Sequence, residues 1–177
     1  MSQAITYNID PAHSHAGFKV RHLMVSNVRG EFSKVTGTVV FDPEHPENSS
    51  IKASIDATTI HTRDEQRDTH LKSADFLDVA KFPTIDFIST GISGSGDEWK
   101  VTGDLTIHGE TREVVLDVEG PAPETKDPWG STRSGASAST KINRKDFGLT
   151  WNVALEAGGV LVGEEIAITL ELELVRA

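Results

Sequence analysis

His13 and His15 stand two residues apart, so in an extended strand both imidazoles point to one side, the spacing of a zinc or copper ligand pair. Adding His22 requires a bend, and neither a His-Glu-x-x-His segment nor a carboxylate cluster accompanies them. Exposed or hydrogen-bonded histidines are therefore the stronger reading. Arg67, Asp68 and His70 combine an acid, a base and a built-in ion pair, which at a barrel mouth would make an acid–base site. The competing reading is mechanical and preferred: a short polar helix ties itself down by Arg-to-carbonyl and Asp-to-amide bonds. The glycines of the segment from Gly91 to Asp97 lack the spacing and the following Lys and Ser or Thr of a phosphate loop, so they mark a hairpin turn. His108, Gly109 and Glu110 likewise carry turn chemistry between two strands. No nucleophile elbow and no Ser-His-Asp spacing stands out.

Composition narrows the classes further. The 177 residues fit one domain, 1–177, with room for a substantial core. A net charge of −10 gives a summed field that repels phosphate backbones and anionic membrane surfaces, and it argues against nucleic acid as a partner. Without cysteine there is no disulfide framework, thiolate metal site or cysteine nucleophile. The first residues lack a basic start followed by an apolar run, and no later stretch reaches the length of a membrane span. The expected location is cytoplasmic, or periplasmic if a leader once preceded this start.

The elements that must position such residues are mostly strands. Ile166, Ile168, Leu170, Leu172 and Leu174 alternate with Glu165, Thr169, Glu171 and Glu173, one face oily and the other largely acidic. The same period of two runs through Phe18, Val20 and His22, and through Val35, Gly37, Val39 and Phe41. Ile51 to Thr59, Ile85 to Ser89, Trp99 to Ile107, Val114 to Val118 and Ser131 to Ile142 complete about eight strands, separated by Gly, Pro, Asp and Ser clusters. Gly120 to Gly130 reads as a loop. Such a pattern predicts an antiparallel barrel or sandwich, and closure has the advantage of removing exposed edges.

Ile60 to Pro83 is too long for a hairpin and must have structure of its own. Thr62 and Glu65 are spaced as a capping box, predicting a short helix that begins there, and a second turn is expected after Ser73. The residues from Arg63 to His70 offer nothing oily, so this helix cannot be a core helix. Phe76, Leu77, Val79 and Phe82 supply an apolar side able to plug one barrel end. The crossover is therefore expected to be a cap or lid.

Taken in order, the segments His13–Met24, Arg29–Pro43, Arg67–Pro83, Gly103–Leu116 and Asn143–Leu149 resemble the YceI-like family of bacterial polyisoprenoid-binding proteins over nearly the whole chain. Arg67–Pro83 and Gly103–Gly109 are the most specific. The resemblance implies an all-β fold: an extended eight-stranded antiparallel lipocalin-like barrel with a helical crossover near one end. It implies as ligand a long isoprenoid, a polyprenyl phosphate or an isoprenoid quinone, and no other cofactor; homodimers and periplasmic members are known in the family. Members often carry an aromatic in the late strand where this chain has small residues, Ser134 to Ser139, which are expected to widen the cavity.

An eight-stranded interior is just wide enough to be filled by side chains or to hold one ligand. The leading expectation is a lipid carrier or sequestering module rather than an enzyme. Phe18, Val20, His22, Phe32, Phe76, Phe82, Phe87, Leu105, Ile107 and Trp151 are its ligand-binding candidates, with no catalytic or metal residue assigned. The alternative is a small metal-dependent or acid–base enzyme on a lipid-like substrate, using His13, His15 or the Arg67–His70 group. A ligand-free structural barrel would show a filled interior.

Overall fold

Apolar residues at every second position give most strands one wall-lining face and one outward face, and closing the ring leaves none of its eight strands at an open edge. The computed structural model describes residues 3–156 and 158–177. In chain order the strands are β1 (Ile5–Ile9), β2 (His15–His22), β3 (Ser26–Phe32), β4 (Val35–Phe41), β5 (Ser50–Asp56) and β6 (Ile60–His61). After the helix α1 (Glu65–Lys72) come β7 (Thr84–Ser95), β8 (Glu98–Ile107), β9 (Glu110–Glu119), β10 (Thr125–Lys126), β11 (Thr132–Asn143) and β12 (Val162–Arg176).

A closed antiparallel ring of eight strands runs β11–β9–β8–β7–β5–β4–β1–β12, and the β11–β12 ladder returns it to its start. That seam is the longest pairing, from Arg133 opposite Val175 to Asn143 opposite Glu165. β12 has 15 residues, a length of about 50 Å at ordinary strand rise. Tilted as barrel strands are, it makes a wall about 35–40 Å tall.

β1 and β2 lie in line along the other edge of β12, with Ile9 opposite Leu174, and His15 to His22 opposite Glu171 to Val162. Between them the chain leaves the sheet at residues 10–14. Above that break β2, β3 and β6 extend the wall as a flap, and the crossover carrying α1 covers the same end. The outward side of β12 carries Glu165, Glu171 and Glu173, the reverse of the apolar-out pattern of a lipid-facing barrel. Among the described residues, no helix is long and apolar enough to cross a membrane.

The expected barrel and terminal crossover are both present, with corrections in detail. Of the strands read from sequence, the one at Phe18–His22 belongs to the flap, and the ring is completed by β1, a short strand that was not anticipated. β3 was missed as well. The strand expected over Ile51–Thr59 ends at Asp56, whose carboxylate accepts from the Thr58 amide and caps a tight turn. The capping box at Thr62 and Glu65 does not form: Asp64 is the N-cap, accepting from the Arg67 amide at 3.1 Å. Thr62 turns instead toward Asp68, whose Oδ1 accepts from its amide at 2.8 Å and its hydroxyl at 2.6 Å. Turns follow Ser73 as expected, closed by amides of Phe76 and Asp78 donating to the Ser73 carbonyl.

Candidate functional site

The inward rows leave a cavity of about 330 Å³ inside the barrel. β12 lays Ile166, Ile168, Leu170, Leu172 and Leu174 along it as a continuous apolar strip, and β7, across the ring, contributes Ile85, Phe87 and Ile92. Beside β12 the small residues of β11 put Ala136 and Ala138 on the lining, so this stretch of wall is low where larger side chains would project inward. The interior is therefore neither solidly packed nor flattened into two layers.

The far floor is closed by Trp99 and Phe41, whose rings meet edge to face at 5.4 Å, and the Trp99 indole N–H donates to the Gly120 carbonyl at 3.0 Å. At the other end the crossover bears down on the opening. Phe76 and Leu77 are buried there, and His70, Phe76 and Trp151 form one ring cluster, with centroids 4.7 Å apart for His70–Trp151 and 5.3 Å for Phe76–Trp151. His70 Nε2 lies 2.9 Å from Asp75, which holds the imidazole in that orientation.

Arg67 and Asp68 serve the crossover. The Arg67 guanidinium donates to the Thr62 hydroxyl and carbonyl, each at 2.7 Å, while Asp68 takes the Thr62 amide and hydroxyl, so one residue of the strand end is gripped from both sides. This is the mechanical arrangement expected of a short polar helix.

Of the ten ligand-binding candidates, Phe18, Val20, His22, Phe32, Phe76, Phe87, Leu105, Ile107 and Trp151 stand on the cavity lining. Phe82 does not: its ring packs at 4.9 Å on His108 and against the Gly109 turn, outside the cavity. Sequence reasoning missed the buried Arg144. Its guanidinium, only 2% exposed, donates to the carbonyls of Leu149, Trp151, Val162 and Gly163 at 2.6–3.3 Å. Desolvation pulls its pKa down from the usual arginine value. It fastens Leu149 and Trp151 to Val162 and Gly163 across the barrel end and lines the cavity there. A cation in a turn between two apolar stretches was the available signal, one shared by many solvent-facing arginines.

His13 and His15 do not share a strand face, because β2 begins at His15 and His13 sits in the preceding turn. His13 Nδ1 lies 2.9 Å from Asp10 and 3.4 Å from Glu173, the three forming a compact donor group. Arg133 completes that group with its own charge, donating to Asp10 at 2.7 Å, to Asp127 at 2.7 Å and to Glu173 at 3.4 Å. The His13 and Arg133 hydrogen bonds hold the Asp10 carboxyl down at about 2, and Asp10 in turn raises His13 above 6.5. The arrangement is an ion-pair knot joining the β1 end, β12 and the loop before β11. On the same side Tyr7 is buried and donates to Glu124 at 2.6 Å, and burial pushes its hydroxyl up to about 12. Among the described residues no buried side-chain nitrogen or oxygen lacks a partner, and the cavity lining is made mainly of aliphatic and aromatic side chains.

Comparison with known proteins gives a consistent picture. The YceI-like domain matches residues 7–174. The chain is similar to the Protein YceI of Salmonella newport (strain SL254), 40% identical over 170 residues, covering 95% of this chain and 86% of that protein. The Protein YceI of Escherichia coli O157:H7 is 37% identical over the same length and coverage. Among solved structures, a Campylobacter jejuni YCEI protein superposes with a TM-score of 0.71 at 28% identity, covering 89% of this chain and 90% of that one. A Saccharophagus degradans structure, described as a polyisoprenoid binding domain implicated in plant cell wall breakdown, superposes with a TM-score of 0.72 at 12% identity, covering 98% of this chain and 99% of that one. At that identity the likeness is one of fold.

Proposed function

The chain belongs to the YceI-like family, and on that premise we propose that it binds a long-chain isoprenoid lipid inside the barrel and carries or sequesters it. The observation that carries this reading is the elongated cavity walled by apolar side chains along β12, β8 and β7. Each buried methylene contributes about 0.8 kcal/mol, so a few isoprene units in contact with these walls outweigh an association cost of roughly 4–15 kcal/mol. No catalytic group is needed for that. The description of the Saccharophagus degradans neighbour as polyisoprenoid-binding agrees with it.

The cationic and imidazole side chains on the lining, Arg21, His22, Arg67, His70 and Arg144, all sit at the crossover end. A lipid would therefore lie with its tail toward the Trp99 floor and its polar head under α1. Polyprenyl phosphates and isoprenoid quinones both fit this polarity.

Native mass spectrometry and lipid extraction of the gently purified protein test the reading. The expected result is a co-purified prenyl lipid that is lost from Ala138→Trp, whose indole would fill the low stretch of wall, while the melting curve stays cooperative. A wild-type protein that yields no lipid and takes up no added prenyl quinone or prenyl phosphate would overturn it.

A further inference from the structure

We propose that the tip of the β2–β3 hairpin is a docking element for an anionic lipid surface, placed so that docking brings the cavity opening against the membrane. Leu23, Met24 and Val25 are exposed by 41%, 51% and 74%, and Val153 by 46%. They form one patch with the loop before β12: the Leu23 amide donates to the Leu161 carbonyl at 2.8 Å, and Met24 lies over Gly159. The turn itself is unusual in composition. Leu23 and Met24 have φ of 53° and 60°, the left-handed pair that Asn-Gly adopts with ease. Folding alone would favour a small polar pair here, yet two large apolar residues are held in strained backbone and presented to solvent.

Charge identifies the occupant. From His15 to Gly30 there is no Asp or Glu, in a chain of net charge −10. Lys19 and Arg29 stand on the outward face of the hairpin, directly opposite one another in the register, a like-charge pair that costs stability. Arg21 stands at the exposed rim of the cavity, with its guanidinium donating to the Met24 carbonyl at 3.1 Å. Among the described residues none of the three is ion-paired. The acids at the adjoining end of β12 are already engaged, Glu164 with Lys145 and Glu165 with Lys141. An apolar tip beneath a cationic face matches an anionic bilayer: the tip enters the headgroup boundary and the cations meet phosphates. The acidic remainder of the barrel is repelled, which orients the molecule on the surface.

The location adds the functional consequence. Val20, Arg21 and His22 lead into the tip and Leu161 and Val162 follow its partner loop, and all five line the cavity, which reaches the surface beside exposed Arg21. A docked tip thus lets a lipid pass between bilayer and cavity with little exposure to water. That consequence rests on the proposed lipid cargo; docking itself does not.

Co-sedimentation with vesicles of phosphatidylcholine, with and without about one third phosphatidylglycerol, tests the proposal. The wild-type chain is expected to pellet with the anionic vesicles and to be released by salt. Lys19→Glu with Arg29→Glu should weaken binding by at least about tenfold. Leu23→Asn with Met24→Gly suits the turn better, so it should keep or raise the melting temperature while losing vesicle binding. Wild-type protein that ignores anionic vesicles, or a Leu23→Asn/Met24→Gly variant that binds them equally well, would overturn docking. So would a wild-type dimer that this variant converts to monomer, since the patch would then join two copies. Recovery of prenyl lipid from a protein that does not bind vesicles would remove docking and leave the cargo reading intact; vesicle binding by a protein that holds no lipid would do the opposite.

Discussion

Asp68 serves the fold by accepting two hydrogen bonds from Thr62, which pin α1 to the end of the β3–β6 flap. Asp68→Ala should therefore lower unfolding free energy by about 2 kcal/mol, because the partly buried Thr62 amide loses a charged acceptor. Urea titration measures that loss, and affinity for a prenyl ligand should change far less. Unchanged stability with abolished binding would instead make Asp68 a ligand contact. Asp10 shows the same logic through pH. Its folded-state pKa of about 2 lies below its ordinary value of 3.8, so its ionised form stabilises the fold above about pH 4, and that contribution fades as pH falls toward 2. The stability gap between wild type and Asp10→Asn should accordingly be largest at pH 5 and shrink steadily through this window. A gap independent of pH would mean that the Arg133 knot does not act through the charge of Asp10.

Strands in this barrel are fitted to one another through missing side chains as much as present ones. A Cβ at Gly103 of β8 would meet the Phe87 ring at 2.4 Å and the Ile88 carbonyl at 2.6 Å, and one at Gly30 of β3 would meet the Phe18 ring at 2.4 Å. Each glycine is the recess in which an aromatic from the neighbouring strand lies, which lets the wall curve while the ring faces the cavity. Gly103→Ala should cost roughly 1–3 kcal/mol in chemical denaturation, from overpacking against Phe87 and its backbone. A neutral effect would show that Phe87 can swing away, and with it that this stretch of lining is soft. The same recess explains why β3 was hard to read. Its inward positions are Ser26, Val28, Gly30 and Phe32, and the glycine and serine break the apolar alternation that identified β12. β1, at five residues, was too short to carry a strong periodic signal.

For the molecule as a whole, the cavity and the stability are linked. A bound lipid that contacts only the folded barrel adds to its stability, so a delipidated, refolded sample should melt lower on the order of 5 °C, and added prenyl lipid should restore the difference. Calorimetry on both samples checks this, and identical curves would argue against a ligand held by these walls. Alternation along the chain was enough to establish an antiparallel barrel or sandwich and the apolar face of β12, because side-chain direction in a strand follows from position alone. The polar composition of α1 was enough to keep it out of the core. The choice of a closed barrel came from the family resemblance and the tertiary structure. The resemblance of Arg67–Pro83 and Gly103–Gly109 named the family before any coordinate did. What alternation cannot convey is which strands meet. Only the assembled structure decided that β1 rather than β2 completes the ring, that Phe82 turns to His108 outside the cavity, and that Arg144 is bound by four carbonyls from a segment up to 19 residues away. Those outcomes depend on register and closure, which bring distant residues together by geometry that no local pattern encodes.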